Sequence, residues 1–240
     1  VRAGLEQEAV LLVTGSKFFQ GAAFSSAVIL PPSLMERLRQ GAPSAPPLPA
    51  GLRDFLSQHE VPASLPHWRG QLGSDANLGL LLRWHTALPF VERAFRIPAE
   101  ERAALEADWM RRVSEMVAEV PGLEVLHAER GIVSLTLRKP DGALCTKEEL
   151  KWVHKHMATD ASSLWSGDAS PPPEAATRIF IGQPVGITDE YAALRLAMGA
   201  ELLLEAHAGE YDPEVDARVV RKLRWLLRAL NRSRAREALR

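Results

Sequence analysis

The chain has 240 residues, of which 46% are hydrophobic and 25% are charged, with 29 Lys and Arg against 30 Asp and Glu. This is an ordinary globular composition, and a net charge of −1 argues against a nucleic-acid-binding protein. A single cysteine excludes a disulfide framework and fits a cytoplasmic compartment, and no apolar run approaches the ~20 residues of a membrane span. The chain starts with Val1 and has no signal-peptide pattern, so we expect it to begin partway through a longer protein.

The first elements in chain order predict part of an α/β domain. Ala9–Val13 is a short, continuous apolar run typical of a strand buried on both faces, and Ser26–Leu30 predicts a second strand. Ser33–Arg39 predicts a short helix, followed by a surface loop rich in Pro and Ala at Gln40–Gly51. A further helix is predicted over 77–88, where these residues recur at helical spacing: Leu78, Leu81, Leu82 and His85.

A long helix and then a change of period predict a compact α+β unit. Glu100–Glu119 has an apolar stripe at helical spacing. In "GIVSLTLR" the period becomes two, so one set of side chains should face opposite to the other: Val133, Leu135 and Leu137 against Ser134, Thr136 and Arg138. Thr146 and Glu149 form a capping box, which predicts a helix with these residues facing inward: Leu150, Val153 and Met157.

The last predicted elements are a loop, two strands and a helix: Ser166–Ala176, "TRIFIG" at 177–182, "ALRLAM" at 193–198 and about Pro213–Leu230. The order of elements therefore predicts two domains. Residues 1–100 form part of an α/β domain, and residues 101–240 form a small α+β domain.

A lone lysine lies between the first two predicted strands, in "VTGSKFFQGAAF". Thr14 and Ser16 offer two hydroxyls beside Lys17, and Gly15 lets the backbone turn sharply and leaves amides free to meet an anion. Three phenylalanines would surround the lysine with apolar side chains: Phe18, Phe19 and Phe24. An ordinary surface lysine is the alternative. Hydroxyls for a phosphate beside an amine for an aldehyde match the needs of pyridoxal phosphate.

The segment "VTGSKFFQGAAFSSAVIL" resembles the Schiff-base lysine segment of fold-type I pyridoxal-phosphate enzymes, closest to the class V aminotransferase and cysteine desulfurase group. Members carry a Ser/Thr-Gly-His-Lys-like turn, an aromatic pair and a stretch of small residues; Ser16 stands where the group often has His. Later segments are similar to later parts of these enzymes: "NLGLLLRWHTAL" to the helix after the lysine, "GIVSLTLRKPDG" to the first strands of the small domain, and "IGQPVGITDEYAALRLAMGA" to the strand with the carboxylate-binding arginine.

The resemblance implies a fold, a cofactor and a reaction. Residues 1–100 would be the C-terminal portion of the large cofactor-binding α/β domain, and residues 101–240 the small domain. Lys17 would bind pyridoxal 5'-phosphate as a Schiff base and move protons at the substrate α-carbon, while Thr14 and Ser16 would contact the cofactor phosphate. We expect an aminotransferase acting on an amino-acid-like substrate; a pyridoxal-phosphate-dependent lyase or a cysteine desulfurase is the alternative.

The same resemblance implies a homodimer and an incomplete site. The carboxylate for the pyridine nitrogen, the ring-stacking residue and the main phosphate loop of these enzymes would lie before Val1. We therefore expect the isolated chain to bind the cofactor weakly or not at all and to be inactive by itself.

Arg195 and Gln183 are the candidate substrate-binding residues. In "ALRLAM", Arg195 projects from the strand face opposite to Leu194 and Leu196, and a guanidinium can bind a carboxylate through two parallel hydrogen bonds. The resemblance assigns Arg195 to the substrate carboxylate. Gln183 either lines the same cleft or caps a loop.

Other patterns favour structural roles. Cys145 directly precedes the Thr146 cap, which favours a packing role over a desulfurase nucleophile. His154 and His156 are two apart on a predicted helix and make a poor metal pair, so we expect no metal site. The basic segment Arg218–Arg240 favours a solvated helix face, with an acidic partner or a membrane surface as the alternative. A non-catalytic binding protein that retains the fold is the further functional hypothesis.

Overall fold

The structure, a computed structural model, describes residues 2–41, 46–165, 170–188 and 191–238, with side chains as far as Arg232 in the last helix. The chain divides into two compact units, Val1–Ala94 and Phe95–Arg240. Parts of the loops predicted at Gln40–Gly51 and Ser166–Ala176 lie outside the described residues. Within the described ranges, no helix is both long enough and apolar enough to cross a membrane.

The first unit combines a β-ribbon with helices. Its elements are α1 (Arg2–Glu6), β1 (Leu11–Thr14), β2 (Ser26–Ile29), α2 (Pro32–Gly41), 3-10 turns at Ala50–Asp54 and Gln58–Glu60, α3 (Pro66–Arg69) and α4 (Leu78–Arg96). The two strands pair antiparallel, with Leu11 opposite Ile29 and Thr14 opposite Ser26. The segment between them, which contains Lys17, is therefore the connection of a hairpin.

Two predictions of burial in this unit are wrong. Leu12 of β1 is 82% exposed and Val28 of β2 is 59% exposed. The reason is that β1 belongs to a two-stranded ribbon, and such a ribbon is not covered by packing layers on both faces. His85, which the sequence places on one helical stripe with three leucines and which we therefore expected in the core, is exposed on α4, because the helix buries Ala87 and Ala94 instead.

The second unit is an antiparallel sheet packed against helices. Its elements are α5 (Ala99–Ala118), β3 (Leu123–Glu129), β4 (Ile132–Leu137), α6 (Lys147–Met157), a 3-10 turn at Ser162–Leu164, α7 (Pro173–Ala176), β5 (Gly182–Gly186), β6 (Ala192–Ala197), α8 (Ala200–Ala208) and α9 (Glu214–Ala238). The strand order is β3-β4-β6-β5. Helix α5 packs on β3 and β4, and α6 packs on β5 and β6. The mixture of helices and strands confirms the coarse α/β prediction; the assignment to a particular fold stays a prediction.

Side-chain alternation and the capping box are confirmed in this unit. Val133, Leu135 and Leu137 are all 0% exposed, and Thr136 of the opposite set is 0% exposed as well, with its hydroxyl donating to the Ala192 carbonyl at 3.1 Å. Thr146 accepts the Glu149 amide while the Glu149 carboxylate accepts the Thr146 amide, and the inward residues of α6 are also 0% exposed: Leu150, Val153 and Met157. The strand alternation and the helix cap could be predicted from the sequence because each is set by residues a few positions apart.

The strand predicted at 177–182 is wrong except for its last residue. The Ile179 amide donates to the Met157 carbonyl at 2.8 Å, and Phe180 is 83% exposed. The backbone of this segment therefore bonds to the end of α6 rather than to a neighbouring strand, and β5 begins only at Gly182.

Helix α9 is anchored by a buried lysine. Lys222 is 0% exposed, and its Nζ donates to the carbonyls of Met157 at 3.0 Å and Thr159 at 2.9 Å and also to that of Thr177. Burial lowers the pKa of this amine. Three backbone carbonyls satisfy its three hydrogens, so the lysine joins α9 to the end of α6 and to the segment before β5.

Candidate functional site

The turn that carries Lys17 is held by short backbone hydrogen bonds. The Gly15 amide donates to the Ser25 carbonyl at 2.7 Å, and the Gly21 amide donates to the Gly15 carbonyl at 2.7 Å. The first bond extends the β1–β2 pairing beyond Thr14, and the second closes part of the connection into a small loop. Residues 14–25, which we call the lysine loop, therefore have a defined backbone.

Two glycines let the lysine loop lie directly against α4. A Cβ added at Gly15 would come within 2.7 Å of the Ala87 Cβ and 2.9 Å of the Ser25 Oγ. A Cβ added at Gly21 would also come within 2.7 Å of the Ala87 Cβ. These distances are shorter than any carbon–carbon van der Waals contact, so only glycine fits at both positions. The Ala22 amide adds a 2.9 Å hydrogen bond to Thr86 Oγ1 of the same helix.

The hydroxyls of Thr14 and Ser16 lie together at the start of the loop. Their oxygens are 2.9 Å apart, and the Ser16 amide donates to Thr14 Oγ1 at 3.4 Å. A hydroxyl can donate one hydrogen bond and accept others, so both oxygens could turn to donate to an anion in place of their mutual bond. The structure thus brings together the two hydroxyls that the sequence predicted as phosphate contacts.

Lys17 itself is exposed at the tip of this loop. Phe18 and Phe19 meet edge to face with ring centroids 4.9 Å apart, while Phe24 is 82% exposed. The described residues therefore do not enclose the amine in the apolar surround expected from the sequence. The arrangement leaves the Lys17 amine accessible to a reactant, on a backbone fixed at both ends.

Arg195 lies in a row of paired residues across the sheet of the second unit. It is opposite Ser134 of β4 on one side and Gly182 of β5 on the other, and Ser134 is in turn opposite His127 of β3. Directly opposed residues of an antiparallel pair project to the same face, with strands about 4.8 Å apart. Arg195, Ser134 and His127 therefore share the face opposite to the buried leucines of β4.

His127 joins this row because of a β-bulge that sequence periodicity does not reveal. The register shifts between Val125 and His127, so Val125 is opposite Leu135 while His127 is opposite Ser134. Strict alternation would have placed His127 on the core side with Val125. A bulge inserts one residue and moves the following side chains to the other face, and it is set by strand pairing rather than by local sequence.

The surroundings of Arg195 leave its guanidinium accessible. A Cβ at Gly182 would lie 2.9 Å from the Arg195 carbonyl oxygen and 3.0 Å from the Arg195 Cβ, so glycine permits this close pairing. Arg195 is exposed, and among the described residues no carboxylate forms an ion pair with it. Gln183, also exposed, follows Gly182 on the neighbouring strand.

The cysteine and the two histidines considered in the sequence have structural positions. Cys145 is 0% exposed, and its amide donates to the Leu137 carbonyl at 2.7 Å, so it lies in the core beside the α6 cap. His154 Nε2 lies 3.2 Å from the Ile181 carbonyl, and His156 Nδ1 lies 2.7 Å from the Trp152 carbonyl. Across the described ranges, no group of His, Cys, Asp and Glu is arranged to hold a metal ion.

No family model matches the chain, and no curated protein and no solved structure matches it.

Proposed function

We propose that the chain is part of a pyridoxal-phosphate-dependent enzyme of fold type I, in which Lys17 holds the cofactor and the reaction is transamination of an amino-acid-like substrate. The observation that carries the proposal is the lysine loop: an exposed amine directly follows two hydroxyls 2.9 Å apart on a turn that two glycines hold against α4. An accessible amine suits attack on an aldehyde, and adjacent hydroxyls suit a phosphate.

Each residue has a stated role in this proposal. Thr14 and Ser16 would donate hydrogen bonds to the cofactor phosphate, and the Lys17 amine would hold the cofactor aldehyde as a Schiff base, which forms with loss of water. With substrate bound, the free Lys17 amine would move a proton to and from the substrate α-carbon. The cofactor supplies an electron sink for the bonds at that carbon. A rigid loop serves this chemistry because proton transfer requires the amine within hydrogen-bonding distance of the reacting carbon.

Arg195 serves as the anchor for the substrate carboxylate. It is exposed, has no acidic partner among the described residues, and projects from a strand paired on both sides. A guanidinium held in this way can bind a carboxylate through two parallel hydrogen bonds. Gln183 on the adjacent strand and Ser134 in the same row can offer further hydrogen bonds to a polar substrate.

Transamination is favoured over desulfuration by the position of Cys145. A persulfide-forming cysteine must reach the substrate, whereas Cys145 is 0% exposed and directly precedes the cap of α6. A lyase reaction would use the same Lys17 and remains the alternative within the class. A binding protein that retains the fold would need no reactive amine at Lys17.

Selective trapping of Lys17 tests the proposal. The chain is incubated with pyridoxal phosphate, the bond between cofactor and amine is made permanent with borohydride, and mass spectrometry identifies the labelled lysine. We expect preferential labelling of Lys17, because trapping accumulates even a weakly bound cofactor. Lys151 is the internal reference, since it is an exposed lysine paired with Glu148 on α6. Equal labelling of Lys17 and Lys151 would contradict the proposal.

A further inference from the structure

A concave basic site lies in the second unit, between α9 and the turn that follows β4. It has a volume of about 330 Å³, within the range usual for small-ligand sites. Its lining combines apolar and cationic residues: Pro121, Gly122, Arg138, Lys139, Pro140, Arg224, Leu227, Arg228 and Asn231. We call this the basic pocket.

Among the residues that the structure describes, the lining of the basic pocket holds four cationic side chains and no acidic one. Two of them have partners outside the lining. Arg138 Nε donates to Glu124 Oε2 at 3.0 Å, and Lys139 Nζ lies 3.5 Å from Glu149 Oε2. Two acidic partners for four cations leave a surplus of positive charge inside a concavity, where low-dielectric walls strengthen the attraction of an anion.

The surplus resides on Arg224 and Arg228. They lie one turn apart on α9, both are exposed, and neither forms an ion pair or side-chain hydrogen bond with the described residues. Two like charges at this spacing destabilise a helix unless something neutralises them. By contrast, the charge of Arg221 on the same helix is neutralised, because Arg221 forms ion pairs with both Glu174 and Glu214.

The walls of the basic pocket are fixed. Gly122 has φ +88, and a Cβ there would lie 2.7 Å from Leu227 Cδ2 and 3.1 Å from the Arg138 carbonyl oxygen. Glycine therefore permits both the left-handed backbone and the close approach of α9. Leu227 is 5% exposed and Lys222 is bonded to three carbonyls, so the helix that presents the two arginines is anchored on its other face.

We propose that the basic pocket binds the phosphate group of a small phosphorylated ligand. Arg224 and Arg228 bind the phosphate oxygens with their guanidinium forks, and Asn231 and Lys139 can donate further hydrogen bonds. Leu227, Pro121 and Pro140 offer apolar contact to the remainder of the ligand. The site depends only on residues of the second unit and holds whether or not Lys17 binds pyridoxal phosphate.

The test is calorimetric titration of the full chain with inorganic phosphate at constant ionic strength, with acetate as the comparison anion. We expect phosphate to bind more tightly than acetate. R224Q and R228Q should each weaken phosphate binding about tenfold, the effect of losing one charge-assisted hydrogen-bonded group. R218Q is the matched control, because Arg218 is an exposed arginine of the same helix outside the pocket lining, and it should change binding less than about twofold.

Three outcomes would overturn the proposal. One is phosphate binding no tighter than acetate. Another is an equal loss of binding in R218Q and R224Q, which would indicate a diffuse charge effect. The third is binding to phosphatidylserine vesicles that depends on Arg224 and Arg228 and resists competition by free phosphate, which would indicate a membrane surface instead. Unchanged thermal unfolding of the three variants confirms that each one folds.

Discussion

Trp109 Nε1 donates a 2.8 Å hydrogen bond to Asp216 Oδ2, which joins α5 to α9 across 107 residues of sequence. The Tyr211 hydroxyl donates to the same carboxylate oxygen. Asp216 is 6% exposed, and burial raises the pKa of its carboxyl, an effect that the bonds from Tyr211 and Trp109 and the charge of Arg112 only partly oppose. The carboxylate is thus a fixed acceptor that orients α9, the helix carrying Arg224 and Arg228.

The raised pKa of Asp216 predicts a pH-dependent contribution to stability. Below the unfolded-state pKa of about 3.9 the group is protonated in both states. As pH rises from there through the higher folded-state pKa, the native state holds the proton longer than the unfolded chain, so the free energy of unfolding falls. D216N is neutral throughout, and wild type should lose stability relative to D216N as pH rises above about 4 in urea titrations.

Asp108 supplies the control of opposite sign. A hydrogen bond from Arg111 lowers the pKa of this exposed carboxyl. The contribution of Asp108 to the free energy of unfolding is therefore present above the unfolded-state pKa and disappears as pH falls through the folded-state pKa. Relative to D108N, wild type should lose a small amount of stability toward low pH. If D216N and D108N give pH profiles of the same sign, the assignment to Asp216 fails.

Replacing Lys222 with methionine should strongly destabilise the chain. The substitution keeps the apolar length of the side chain but leaves the carbonyls of Thr159 and Thr177 without a donor, while the Met157 carbonyl keeps only the bond from the Ile179 amide. Orphaned buried acceptors make a loss of roughly 2–4 kcal/mol the expected result in denaturant unfolding. K151M, on the exposed face of α6, should change stability by less than about 0.5 kcal/mol. Equal effects of the two substitutions would contradict the anchoring role.

A methyl group at Gly15 should displace the lysine loop. Its Cβ would lie 2.7 Å from the Ala87 Cβ, and overpacking of this kind costs about 1–3 kcal/mol. G15A should therefore lower stability and reduce labelling of Lys17 by pyridoxal phosphate. G73A is the control, since a Cβ at Gly73 would meet nothing within 4 Å. Adding A87G to G15A removes the carbon–carbon clash and should restore part of the labelling. If the labelling does not recover, the clash of the new methyl group with Ser25 Oγ, rather than with Ala87, displaces the loop.

Substitutions at Lys17 and Arg195 distinguish an enzyme from a binding protein. Within a full-length protein that transaminates a panel of amino-acid donors, K17A should abolish the reaction with unchanged thermal unfolding, because the side chain of the exposed lysine has no structural partner among the described residues. R195K keeps the charge but loses the two-bond fork, so kcat/KM should fall at least about tenfold. Full retention of function in K17A would favour the binding protein.

Local sequence patterns predicted the structure correctly where the contacts that enforce them are also local. The Thr146–Glu149 capping box and the common face of Val133, Leu135 and Leu137 were predictable, because a cap and the alternation of a strand involve neighbours a few positions apart. The burial of Thr136 on the other face was not predictable, because it depends on tertiary packing. The lysine loop was partly predictable: the hydroxyls of Thr14 and Ser16 do lie together, since they are two residues apart. The exposure of Lys17 was not, because it depends on how the loop packs against α4.

The sequence by itself determined which segments form helices and strands in most of the chain, and which chemical groups the lysine loop carries. Tertiary structure alone decided that a bulge brings His127 level with Ser134, that Trp109 meets Asp216, and that Arg224 faces the turn after β4. The physical reason is the range of the contacts. Strand register and helix packing join residues many positions apart, and they leave no periodic trace in the segments that they bring together.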